Sequence, residues 1–153
     1  MIAAFTWIEQ TRISVFMRED FYAYFVALIG HAWGMALLVG GGLAICLRVL
    51  GIGRSSDLAK WSAVLSLMKW GAVLAAVSGL ALLAGYPVKA LTNWVFALKF
   101  ACLIGAAWLT VRALREGSKP RAALALPLWL GGVAAGKLLL YTYHALMAAE
   151  LAG

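Results

Sequence analysis

Four long apolar segments, separated by short polar links, dominate this sequence. They cover approximately residues 21–47, 61–84, 94–111 and 122–148. A helix needs roughly 17–25 apolar residues to cross a hydrocarbon core of about 30 Å, so each segment is long enough to span a membrane. The segments are too uniformly apolar for barrel strands, in which apolar and polar side chains alternate. The sequence therefore predicts an all-α integral membrane protein with four spanning helices.

The composition excludes several other classes of protein. Of the 153 residues, 65% are hydrophobic and 12% are charged, whereas soluble domains are about 45–50% apolar and about 25% charged. The formal net charge of +7 does not indicate nucleic-acid binding, because the basic residues lie mainly in the links between apolar segments. A soluble enzyme, a disordered chain and a nucleic-acid module are therefore excluded, and the lipid bilayer is the expected partner.

The links predict how the spans are arranged. They cover residues 48–60, 85–93 and 112–121, and short links make consecutive helices antiparallel neighbours. A single-domain, up-down-up-down four-helix bundle is therefore expected. Ahead of it, apolar residues such as Ile8 and Ile13 recur at helical spacing, so residues 1–20 are predicted to form a helix lying in the membrane interface.

Basic residues set the predicted orientation. The first and third links together hold seven lysines and arginines, whereas the opposite side holds three: Arg12, Arg18 and Lys89. Cytoplasmic loops carry an excess of positive charge. The chain is therefore expected to be N-out and C-out, with both termini periplasmic in a bacterial inner membrane.

Ionisable residues inside spans are expensive and often functional. Here they are His31, Lys69, Lys99, Lys137 and His144. His31 is flanked by Gly30 and Gly34, which leave space beside one helical face. That space suits close helix packing with His31 hydrogen-bonded across the bundle, or a haem whose iron His31 ligates, or a proton relay.

The second histidine strengthens the haem interpretation. In the antiparallel bundle, His144 near the end of the fourth span lies on the same outer side as His31. Two histidines from different helices commonly hold a b-type haem in a membrane bundle. The pair His31 and His144 is therefore the predicted metal-ligand set, although an interfacial histidine beside Tyr143 would give the same pattern.

The lysines extend the candidate site. Lys137 lies seven residues before His144 on the same helical face, with Tyr141 between them, and is expected to point into the bundle. Lys99 lies five residues after Trp94, so it could extend outward to the interface or inward. No span contains Asp or Glu, which argues against a cation channel or a carboxylate-driven pump. An inward lysine would then meet an anionic ligand: a haem propionate, a quinone oxygen or a porphyrin carboxylate.

Several motifs resemble those of an uncharacterised family of small bacterial four-span membrane proteins, and the resemblance covers nearly the whole chain. The motifs are Arg18-Glu19, His31-x-x-Gly34, Leu47-Arg48-Val49-Leu50-Gly51, Ser78-Gly79-Leu80, Asn93 to Lys99, and Gly136 to Tyr141. The chain departs from the family pattern at Cys46, where an acid is expected, and at Lys137, where arginine is more usual. His144 is not part of that pattern.

More distantly, the layout is similar to HemJ-type protoporphyrinogen oxidases and CopD-like copper-resistance proteins. Both have a histidine in an early span and a lysine near the entry to a later one. The HemJ resemblance implies that His31 and Lys99 fall where that family's haem-associated histidine and lysine fall.

Three hypotheses of function follow. The first is a small b-type cytochrome that moves electrons between a quinol pool and a periplasmic or oxygen-species acceptor. His31 would be one axial ligand, and His144, favoured over Lys99, the other, because imidazole ligates in its neutral form near pH 7. Lys99, Lys137, Tyr86 and Tyr141 would hold propionates or a quinone.

The second hypothesis is a HemJ-like porphyrin oxidase. The third is a non-redox protein, either a copper handler or a structural subunit of a membrane complex. A homo-oligomer is compatible with all three. Met35 lies four residues from His31, which suits copper binding but also ordinary packing.

Overall fold

The computed structural model describes residues 7–52 and 61–151, without the side chains of residues 89, 90, 140 and 143–151. This part of the chain forms helices and no strands. The helices are α1 (Arg12–Glu19), α2 (Phe21–Val49), α3 (Ser62–Gly85), α4 (Pro87–Leu91), α5 (Trp94–Glu116) and α6 (Lys119–Leu151). By length and composition, α2, α3, α5 and α6 can each cross a membrane. The predicted all-α four-helix membrane bundle is confirmed.

Local sequence signals fix where the spanning helices begin and end. The Asp20 carboxylate accepts from the backbone N–H of Ala23 at 2.7 Å and starts α2, and the Asn93 side chain caps α5 in the same way. Gly117 ends α5 with a positive φ of 63°, a conformation that favours glycine.

One predicted link is much shorter in the structure. Residues 112–121 are expected to connect the third and fourth spans, but α5 continues to Glu116 and α6 begins at Lys119. The charged residues there still favour a helix, because Glu116 pairs with Arg112 on its own helix and with Arg121 on the next. The change from apolar to charged residues thus marks where the helices leave the hydrocarbon, and both helices continue beyond it.

The predicted interfacial helix is represented by α1, and residues 1–6 lie outside the described part. On one face of α1, Ser14 and Met17 are buried, and the Ser14 hydroxyl lies 3.4 Å from the carbonyl oxygen of Gly85 at the end of α3. On the other face, Ile13 and Phe16 are exposed. The helix therefore attaches to the bundle by one side and leaves an apolar side for the membrane interface.

Small residues bring α2 and α3 into backbone contact. A Cβ added at Gly34 would lie 2.4 Å from the backbone nitrogen of Ala75, and one at Gly71 would lie 2.8 Å from that of Leu38. Neither position has room for a side chain. This is the close approach that glycine permits between membrane helices, where van der Waals packing replaces the hydrophobic effect.

A buried polar cluster joins three helices in the half of the bundle that lies away from Gly85 and Trp94. The Trp129 indole N–H donates to the Thr110 hydroxyl at 3.0 Å, and that hydroxyl donates to the carbonyl of Ala106 at 2.7 Å. Its single proton is thereby used, so the Cys46 thiol, 3.3 Å away, acts as the donor to it. Cys46 is fully buried, and it takes part in a hydrogen-bond network that links α2, α5 and α6.

The helices are not arranged evenly. The α2 helix packs on α3, the α5 helix packs on α6, and α2 also contacts both α5 and α6. Over the described residues, α3 and α5 form no comparable interface. A gap therefore runs between α3 and α5 and opens sideways. In the bundle's predicted orientation, the ends at Gly85 and Trp94 are the outer ends, and we use "outer" and "inner" in that sense.

Candidate functional site

The outer half of the gap between α3 and α5 widens into a cleft of about 780 Å³ that reaches α2 and α6. Ligand and cofactor sites commonly have volumes of about 300–1,000 Å³, with mostly apolar walls and a few polar groups. The cleft matches that description. Its polar side chains are Tyr24, His31, Tyr86 and Lys99, and the rest of its lining consists of apolar residues and glycines.

The hydrogen bonding of His31 fixes which of its ring nitrogens is available. Nδ1 lies 2.9 Å from the carbonyl oxygen of Ala75 on α3. A carbonyl can only accept, so Nδ1 carries the proton, and in the neutral imidazole Nε2 keeps its lone pair. Gly79, one turn beyond Ala75, leaves room for the ring, since a Cβ there would lie 3.2 Å from the imidazole.

Lys99 turns inward to meet this nitrogen. Its Nζ lies 3.5 Å from His31 Nε2. Its aliphatic stem lies against Gly136 of α6, where a Cβ would be 3.6 Å from Lys99 Cε. Of the two orientations left open by the sequence, the structure shows the inward one. Neither Asp nor Glu lines the cleft, so within the described residues the ammonium group has no carboxylate partner there.

The two nitrogens lie at hydrogen-bond distance. His31 Nε2 and Lys99 Nζ are 3.5 Å apart, so the ammonium group can donate to the lone pair of the imidazole. An imidazole in an apolar cleft is also a usual ligand of haem iron, and the flexible lysine stem would let the two groups separate around such a cofactor.

Gly34 has a different role from the predicted one. It was expected to make room for a cofactor, but it does not line the cleft, because the backbone of α3 fills the space beside it. The helix-packing interpretation therefore applies to Gly34. Its effect on the site is indirect, since the close contact brings the carbonyl of Ala75 within reach of His31.

Two further candidates lie away from the cleft. Lys137 is exposed, so the expectation that it points into the bundle is wrong. The reason is helical geometry: Gly136 faces Lys99, and the next residue is rotated by about 100° around the helix. Tyr141 is 65% exposed and does not line the cleft either.

The side chain of His144 lies outside the described residues. Its backbone belongs to α6, eight residues beyond Gly136, which corresponds to about 12 Å of helical rise. Because Gly136 is level with Lys99, the structure places Lys99 beside His31 and places the backbone of His144 much nearer the outer end. Pairing of His31 with His144 stays a prediction.

Tyr24 was missed by the sequence reasoning. It lies seven residues before His31, which is two helical turns, so the shared face could have been recognised. Its ring meets that of Tyr86 edge-on, with 6.5 Å between the ring centroids. The two tyrosines line the outer end of the cleft together.

Comparisons with protein-family models, curated proteins and solved structures found no match for this chain. The geometry of the cleft therefore carries the functional argument.

Proposed function

We propose that this multi-pass membrane protein is a small b-type cytochrome in which His31 and Lys99 are the axial ligands of one haem. It would transfer electrons between a quinol pool and a periplasmic or oxygen-species acceptor, in a bacterial inner membrane with both termini outside. One observation carries the proposal. Inside an apolar cleft, the lone pair of His31 Nε2 faces Lys99 Nζ at 3.5 Å while Nδ1–H is held by a backbone carbonyl.

The bond to Ala75 supports a ligand role for His31. Metal-ligating histidines almost always donate their other N–H to a carbonyl, a carboxylate or a water, which fixes the tautomer and the ring orientation. In this chain the Nδ1–H of His31 is held in that way by the carbonyl of Ala75, and the lone pair of Nε2 faces the cleft.

The free-energy cost of placing Lys99 inside a membrane span also supports a bound ligand. A lysine inside a membrane span is expensive unless it is paired or can reach water. The predicted spans contain no acid, and among the described residues no carboxylate lines the cleft to compensate Lys99. An anionic ligand would pair with the ammonium group, whereas a metal would be ligated by the neutral amine after the ammonium has released its proton to water. Either arrangement removes the unpaired charge.

A bound haem would supply a one-electron carrier. The protein's own contributions would be the two ligands, apolar walls that exclude water, and the phenols of Tyr24 and Tyr86 at the outer end. Phenolic hydroxyls can donate to a propionate or a quinone oxygen.

The sideways opening of the cleft favours a second candidate, a HemJ-like porphyrin oxidase. A gap between α3 and α5 that faces the hydrocarbon would admit a lipid-soluble substrate such as a porphyrin, and it would equally admit a quinone. A copper-handling role has less support. Met35 lines the cleft with His31, but among the described residues no group of three His, Cys, Asp or Glu side chains could hold a metal.

Absorption spectra of the purified protein, air-oxidised and dithionite-reduced, test the proposal. The wild type should show a low-spin haem. His31→Ala should lose the haem, and Lys99→Leu, which offers no ligand atom, should convert it to high-spin. Lys137→Leu is the matched control, since it removes an exposed lysine from a neighbouring span and should leave the spectrum unchanged.

Three results would count against the assignment. A wild type that stays haem-free after expression with ample haem would overturn the cytochrome, and porphyrin binding by that protein would favour the oxidase. A normal spectrum in His31→Ala would remove His31 as the ligand. Low-spin haem in Lys99→Leu but high-spin haem in His144→Ala would restore His144 as the second ligand.

A further inference from the structure

The inner end of the gap between α3 and α5 holds a second, smaller cavity of about 220 Å³. Leu38, Ala72 and Ala107 line both this cavity and the outer cleft. The two cavities therefore adjoin each other, and we refer to them together as the apolar groove along the side of the bundle. The outer cleft ends in phenols, whereas the inner cavity ends in positive charge.

Two cations flank the inner cavity. Lys69 comes from α3 and Arg115 comes from α5, and both are exposed. Within the described part of the chain, neither forms an ion pair. The nearby Glu116 is already bound by Arg112 and Arg121. An apolar groove thus ends between two positive side chains that no described carboxylate neutralises.

We propose that this cavity binds an anionic phospholipid, with its phosphate between Lys69 and Arg115 and an acyl chain against the apolar wall of the inner cavity. Basic pockets between spanning helices at the cytoplasmic side are suited to anionic head groups. The seven basic residues in the first and third links predict that this end faces the cytoplasm.

A lipid fits the cavity better than a soluble anion does. Apart from the two cations, the walls are apolar, with Leu65, Met68 and Val111 among them. A free phosphate would satisfy the charges and leave those walls uncovered. A phospholipid would satisfy the charges and also cover the apolar surface.

The experiment uses the full chain in a neutral detergent and measures binding of phosphatidylglycerol and of phosphatidylcholine with identical acyl chains, by native mass spectrometry. The wild type should prefer phosphatidylglycerol. Lys69→Gln/Arg115→Gln should lower that preference about 25-fold, because each lysine or arginine near an anionic membrane surface contributes a factor of about five.

Two matched variants separate this site from general surface charge. Lys69→Arg/Arg115→Lys keeps both charges in place and should keep the preference. Arg112→Gln/Lys119→Gln removes two charges from the same end of the bundle, at positions that do not line the cavity, and should also keep it. Should the double glutamine variant misfold, the two single variants are measured instead. The wild type is then also measured at rising salt, which should weaken the binding of phosphatidylglycerol and leave the binding of phosphatidylcholine unchanged.

Other outcomes would overturn the proposal. The preference could survive in the double glutamine variant, or it could fall equally in the Arg112/Lys119 control. Glycerol phosphate that competes as well as the whole lipid would show a site for a soluble anion. A loss of haem with unchanged lipid preference would show that the two cations serve a propionate of the proposed haem, and the cytochrome proposal would then stand without the lipid site.

Discussion

Adding a single methyl group at Gly34 should separate α2 from α3 and weaken the bundle. In the structure, the new Cβ would lie 2.4 Å from the backbone nitrogen of Ala75, whereas ordinary contacts begin at about 3.4 Å. The obstacle is backbone, which has no rotamer to change, so α3 must retreat by about 1 Å. Overpacking of this kind costs about 1–3 kcal/mol, and we expect Gly34→Ala to lower the free energy of unfolding by about 2 kcal/mol.

The same movement should disturb the candidate site. The hydrogen bond from His31 Nδ1 to the Ala75 carbonyl is 2.9 Å long. A retreat of about 1 Å takes it beyond the usual hydrogen-bond range of about 2.7–3.2 Å. In a haem-containing protein, Gly34→Ala should therefore change the spectrum even though Gly34 does not line the cleft.

The chain supplies a matched control on the same helix. A Cβ added at Gly40 meets nothing within 4 Å, so Gly40→Ala should be neutral or stabilising by about 0.5–1 kcal/mol through its lower backbone entropy cost. Unfolding by dodecyl sulfate in mixed micelles, followed by far-UV circular dichroism, compares the two variants directly. If Gly34→Ala proves as stable as Gly40→Ala, the α2–α3 contact is not as close as described, and the reasoning fails.

Two other predictions concern the inner core and the orientation. Thr110→Val should lower the free energy of unfolding by about 1–3 kcal/mol, because it leaves the buried Trp129 N–H without its acceptor. The control in the same micelle assay is Leu109→Val, which changes a half-buried apolar side chain beside Thr110. Equal losses of stability in the two variants would contradict a role for the hydrogen bond. A reporter fused after Ser118 should behave as cytoplasmic and one at the C-terminus as periplasmic, and the reverse pattern would refute the orientation drawn from the basic residues.

The apolar segments were enough to predict the spanning helices, because only a helix satisfies its own backbone hydrogen bonds in lipid. The charged residues near Glu116 were misread as a link, since hydropathy reports where the hydrocarbon ends and not where the helix ends. The inward position of Lys99 was left open for a related reason. It depends on the space left by Gly136 on α6, which has no side chain. The residues around Lys99 in the sequence give no indication of that contact.

The role of each glycine was also ambiguous in the sequence. Gly34 allows the backbone of α3 to pack closely against α2, whereas Gly79 leaves room for the imidazole of His31. Distinguishing them requires the register of α2 against α3. Lys137 shows the same limitation along one helix: an error of one residue in register turns a side chain by about 100°, enough to move it from the interior to the surface.

The missing interface between α3 and α5 changes how affinity at the cleft should be expressed. With the bilayer against the gap between these two helices, hydrocarbon tails would complete the wall, and a molecule that enters from the side would first dissolve in the bilayer and then displace a tail. Its occupancy would follow its mole fraction in the lipid more closely than its concentration in water. Two ligands with identical contacts to the protein would then differ in apparent affinity by the ratio of their partition coefficients, and the same ligand would bind differently in membranes of different chain composition.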